Sequence, residues 1–111
     1  MNVFAATPQP PYYAVIFSSQ LADDVAGYGE LAERMLELAA QQPGYLGVEG
    51  SREASGLGIT VSYWASREHI VAWKQNSEHA LAQKLGRSTF YRDFRLRICI
   101  VESESSLLPR A

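Results

Sequence analysis

The pattern of apolar and polar residues marks six segments along this chain. From Tyr12 to Ser19, "YYAVIFSS" is aromatic and β-branched over the length of a strand. "QLADDVAGYGE" then breaks the run, with Asp23 or Asp24 placed to cap a helix. From about Val25 or Tyr28 to Gln42, the apolar residues Tyr28, Leu31, Ala32, Met35, Leu38 and Ala39 recur at offsets of three and four. That spacing predicts one helical stripe with Glu30, Glu33, Arg34 and Glu37 facing water. "PG" at 43 and 44 stops it.

"YLGVEGSRE" and "LGITVSYW" read as two strands around the turn signal "ASG", a hairpin. Ser66 is placed to cap a second helix whose buried side carries Ile70, Trp73, Ala80 and Leu81. The polar stretch "KQNSEH" interrupts this stripe, so a bend near Asn76 and Ser77 is expected, with Ser77 recapping a short second segment that ends at Gly86. Last, "YRDFRLRICIVES" alternates, with Phe94, Leu96, Ile98 and Ile100 on one face. Cys99, the one cysteine, reads as a small core or strand residue, and Arg95 and Arg97 share its face.

The order β-α-β-β-α-β is most economically a ferredoxin-like four-stranded antiparallel sheet with both helices on one face, an α+β fold. The chain divides into an extended proline-rich arm at 1–11, one domain at 12–102 and a tail at 103–111. The first and third strands carry apolar residues on both faces: Tyr13, Val15 and Phe17 oppose Tyr12, Ala14 and Ile16. A sheet wet on one side alternates with polar residues, so a partner sheet in a homodimer is expected to cover the second face.

Composition narrows the function classes. The chain has 111 residues, 47% of them hydrophobic, a small domain for which a second copy is a common way to complete the core. Its net charge of -2 comes from mixed acids and bases with no basic block, which argues against nucleic acid and anionic membrane as partners. The start lacks a basic leader and no stretch approaches the ~20 apolar residues of a membrane span, so a cytoplasmic protein is expected. No paired carboxylates, phosphate loop or nucleophile-histidine-acid series stands out, and hydrolase and kinase readings fail on that ground.

The candidate chemistry lies in residues 58 to 79, which hold both tryptophans and both histidines. Thr60, Ser62 and Trp64 share one side of a strand, and Ile70, Trp73 and Ser77 one side of a helix. The two indoles converge only if the helix packs on the face carrying Trp64. Trp73 otherwise reads as core, His69 as a solvated first-turn residue, and Tyr91 and Arg92 as dimer contacts first and pocket rim second. His79 beside the expected bend is the candidate acid, base or donor.

"PGYLGVEGSRE", "ITVSYWASREHIVAWKQNSEH" and "FYRDFRLRICIVE" resemble the antibiotic biosynthesis monooxygenase family over about Tyr12 to Glu102. The resemblance implies a dimeric ferredoxin-like α+β barrel. It implies a cofactor-independent oxygenase of a small aromatic or quinol-like molecule, with no metal or other cofactor; the residues themselves offer His79 as the catalytic base or donor, Trp64 and Trp73 as walls of the substrate pocket, and Thr60 and Ser62 as auxiliary hydrogen bonders to the substrate. In the polyketide-type members an asparagine stands four residues before the strand tryptophan; here that position is Thr60. In the haem-degrading branch a histidine follows the helix tryptophan by ten residues; here that position is Gln83. Haem binding or degradation is one alternative, and a non-catalytic ligand-binding or structural dimer is the other.

Overall fold

In a computed structural model the chain forms β1 (Tyr12–Leu21), α1 (Tyr28–Ala40), β2 (Tyr45–Arg52), β3 (Leu57–Trp64), α2 (Arg67–Lys84) and β4 (Tyr91–Val101). The described residues are 4–23, 26–84 and 90–108, with only the backbone described at 78–84. The strands make one antiparallel sheet in the order β2-β3-β1-β4. This is the ferredoxin-like arrangement. Among the described residues no helix is long and apolar enough to cross a membrane.

Register assigns the faces. Val15 lies opposite Ser62 and Ile98, and Phe17 opposite Thr60 and Leu96; these residues form the inner face, beneath the helices. Ala14, Ile16, Val61, Tyr63 and Cys99 form the outer face. Trp64, opposite Tyr13, is therefore inner. It is fully buried in the core with Val15, Ala39 and Ile70.

The helix ends rest on different devices. Ser66 caps α2 as its sequence position implies, its Oγ accepting from the His69 amide at 3.3 Å. His69 also places Nδ1 2.7 Å from that Oγ. Its ring lies against Gly44, where an added Cβ would come within 2.2 Å of it, so His69 is a packed joint residue and not simply solvated. Helix α1 departs from expectation. Its N-cap is Gly27 at φ 88° with no side-chain cap, because a left-handed residue makes the turn itself. Asp23 instead pairs with Arg92 at 2.8 Å, and Asp24 lies outside the described residues.

The expected bend in the second helix is absent. Helix α2 runs unbroken over Arg67–Lys84, and Ser77 donates back to the Lys74 carbonyl at 3.0 Å instead of recapping a new segment. One of the polar residues that interrupt the stripe, Asn76, ties α2 to the turn that follows α1, donating to Gln42 at 3.0 Å.

Much of what covers the outer face at one end is the chain's own arm. The Ala5 amide donates to Glu49 at 2.8 Å, Tyr12 donates to Thr7 at 3.0 Å, and Thr7 donates to Glu104 at 3.2 Å. Tyr12, which carries one of these bonds, is buried. Apolar surface stays open in two places. On the outer face Leu57 and Ile59 are about half exposed, and on the inner face of β4 Phe94, Leu96, Ile98 and Ile100 form an exposed row. Cys99, expected in a core or strand, is an exposed strand residue on the outer face of β4. The two helices cover β2, β3 and β1 but leave the edge strand bare.

Candidate functional site

Between the inner face and the two helices lies a cavity of about 370 Å³. Val15, Phe17, Val48, Thr60 and Ser62 form its floor, Leu31, Ala32, Met35 and Ala39 of α1 one wall, and Trp73, Lys74 and Ser77 of α2 the other. Tyr91, Phe94 and Leu96 of the bare edge strand complete it. The lining is mainly apolar with a few polar groups, the usual character of a small-molecule pocket.

Helix α2 packs on the face carrying Trp64, and the two indoles meet. Their centroids are 6.1 Å apart with ring planes 23° from parallel, and Tyr45 stands edge-on to Trp64 at 5.7 Å. Trp64 lies behind the wall, while Trp73 faces the cavity. Trp64 Nε1 donates to Ser62 Oγ at 2.9 Å. An indole N–H can only donate, so the Ser62 hydroxyl accepts here and keeps its own hydrogen. Among the described residues nothing takes that hydrogen, and Ser62 lines the cavity. Thr60 lies two residues along the same strand face. The side chain of His79 falls outside the described residues, and the bend that motivated its choice is replaced by straight helix.

A second polar cluster was not singled out in the sequence. Arg52 Nη2 donates to Ser19 Oγ at 2.7 Å and to Tyr28 Oη at 3.2 Å, and the guanidinium also sits 5.4 Å from the centre of the Tyr28 ring. Tyr28 and Tyr91, both lining the cavity, share a hydrogen bond of 3.1 Å. Tyr28 reads from its spacing as plain helix stripe, and Tyr91 as a dimer contact first and pocket rim only second. The arginine that links Tyr28 to buried Ser19 ends β2, which β3 separates from the strand carrying Ser19, so no local motif announces the group.

Several phenols in the structure hold their protons more tightly than usual. Burial, then the bond to Tyr28, pushes Tyr91 well above the ordinary tyrosine range, and burial, then the bond to the Glu49 carboxylate, does so for Tyr63. Burial also raises Tyr45. Each folded-state value lies above its unfolded value, so above pH ~10 the unfolded chain ionises first. The stability they contribute is complete below that pH and is lost as pH rises through the folded values. Urea titrations between pH 8 and 11 should show a falling alkaline limb that Tyr63→Phe makes shallower; an unchanged limb would refute this assignment.

Residues 11–85 match the family model described as antibiotic biosynthesis monooxygenase. The chain belongs to that family. It is 52% identical over 104 residues to the uncharacterized protein YqjZ of Bacillus subtilis, covering 94% of this chain and 91% of that one. Among solved structures, PA3566 from Pseudomonas aeruginosa superposes with a TM-score of 0.66 at 15% identity, covering 88% of this chain and 99% of that one. SnoaB, a cofactor-independent oxygenase from Streptomyces nogalater, gives 0.61 at 11% identity, covering 88% and 98%. At these identities the structural matches establish the shared fold. Activity has to be argued from the cavity.

Proposed function

We propose that this antibiotic biosynthesis monooxygenase family member oxygenates a small aromatic or quinol-like molecule held between the sheet and α2, without a metal or organic cofactor. The observation that carries this reading is the Ser62 hydroxyl, which lines the cavity, accepts from buried Trp64, and has a hydrogen that no acceptor takes among the described residues. A phenol that loses its proton spreads negative charge into its ring, and an activated CH₂ carbon conjugated with it can react directly with dioxygen. The balance is CH₂ + O₂ → C=O + H₂O, the four electrons coming from the carbon. A fixed donor facing the phenolate oxygen stabilises the charge as it develops, and the apolar walls keep water out. Thr60 is a second hydroxyl on that floor and Trp73 an aromatic wall. The likeness of fold to a cofactor-independent oxygenase supports the same reading.

The test is oxygen uptake by chelator-treated protein on a panel of naphthols, hydroquinones and anthrones, with product mass gaining one oxygen atom and losing two hydrogens. His79, the proposed base, is read in the same assay: His79→Ala should raise the apparent pKa of the rate toward that of the free phenol. Protein-independent uptake across the panel would remove the oxygenase reading, and a stoichiometric Soret shift on haemin titration would put a haem-binding protein in its place.

The reading includes a homodimer. Phe94 and Leu96 line the cavity and also belong to the exposed apolar row on β4, so a second copy covering that edge would close the site. Size-exclusion with light scattering at micromolar concentration should return twice the chain mass of 12.3 kDa; a stable monomer would refute the dimer.

A further inference from the structure

The tyrosine pair at the far end of the cavity has one hydrogen too many. Tyr28 and Tyr91 bring two hydroxyl hydrogens, and the single bond between them uses one. Arg52, the other polar partner of Tyr28, can only donate. Whichever phenol donates to the other, one O–H is left over, and among the described residues no acceptor receives it. Both residues line the cavity.

Charge indicates which oxygen keeps the spare hydrogen. The guanidinium donating to Tyr28 makes that hydroxyl the better donor, so the chain Arg52 to Tyr28 to Tyr91 ends with the Tyr91 hydrogen free. Burial keeps Tyr91 protonated, so the end of the chain is a donor and not a base. Ser62 lies opposite Val15 and Tyr91 opposite Leu21, while the Tyr91 ring leans back to 5.3 Å from the Phe17 ring. Two to six residues of strand therefore separate the two donors, roughly 7–20 Å.

We propose that the Tyr28–Tyr91 pair is a second anchor, selecting ligands that carry a hydrogen-bond acceptor, a carbonyl or ether oxygen, at the end opposite the phenol. The phenol faces Ser62, the ring lies over the apolar floor, and the distal oxygen accepts from the tyrosine pair. This rests on the proposed reading only in taking the cavity as the ligand site. It requires no oxygenation.

Two probes of matched size separate the ideas under anaerobic conditions: 6-acetyl-2-naphthol, with a distal carbonyl, and 6-isopropyl-2-naphthol, without one. Quenching of Trp73 and Trp64 fluorescence reports binding. Wild-type protein should prefer the acetyl probe by about tenfold, the effect of one well-made hydrogen bond. The double variant Tyr28→Phe/Tyr91→Phe removes both phenols and should lose the preference while binding the isopropyl probe within about twofold of wild type. Should that variant fail to fold, the carbonyl stretch of the acetyl probe bound to wild type decides the matter. A shift below its position in hexane supports the anchor, and an unshifted band overturns it. Equal affinities in wild type, failure of both probes to bind, or a preference that survives in the double variant would also overturn it. Because binding is read without oxygen, a protein that prefers the acetyl probe yet consumes no oxygen fails only the oxygenase reading.

Discussion

Trp64→Ala should destabilise the protein by about 3–5 kcal/mol, the range for emptying a buried large aromatic site. Its side chain is 0% exposed and packs with Val15, Ala39 and Ile70. The ring stacks on Trp73 and takes Tyr45 edge-on, so truncation removes aromatic contacts as well as buried area. A fold this small cannot readily close such a void, because the indole lies where β3 ends against α2. Trp64→Phe should cost less, retaining much of the volume but losing the N–H bond to Ser62. Urea or thermal unfolding checks both, and a Trp64→Ala loss under about 1 kcal/mol would show that the indole is not the keystone of this joint.

Ser62→Ala should lower the oxygenation rate on the best substrate of the panel by about a hundredfold, the usual effect of losing one donor to a developing oxyanion. It also leaves the Trp64 N–H unpaired in the core, with an expected stability loss of about 1–3 kcal/mol. Trp64→Phe separates these effects, since it keeps the Ser62 hydroxyl but removes the bond that fixes its direction. A rate between those of wild type and Ser62→Ala is expected, measured where each variant remains folded. An unchanged rate in folded Ser62→Ala would remove the serine from the proposed mechanism.

The element order was legible because strand and helix periods differ. Aromatic and β-branched composition located β1, a turn signal between two apolar runs located the β2–β3 hairpin, alternation located β4, and the offsets of three and four located α1. Ser66 could be recognised as a cap because capping is local, within three residues. The bend was misread for a related reason. A break in an apolar stripe is ambiguous in one dimension, and only packing showed Asn76 bonded to Gln42 in the turn that follows α1. Likewise the cap of α1 fell to a glycine whose φ no composition rule specifies.

By itself, then, the sequence determined the six elements, the ferredoxin-like order and the shared strand face of Thr60, Ser62 and Trp64. Periodicity, strand composition and turn signals are local properties, and the elements follow from them; their order then admits the ferredoxin-like sheet as the most economical arrangement. Only tertiary structure decided that α2 lies over that face and stacks Trp73 on Trp64, and that the chain's own arm bonds to buried Tyr12. It alone joined Arg52, Ser19, Tyr28 and Tyr91 into one polar corner. Those four residues come from three strands and a helix, and contacts across such separations depend on register and on which face a helix covers, which local pattern does not encode.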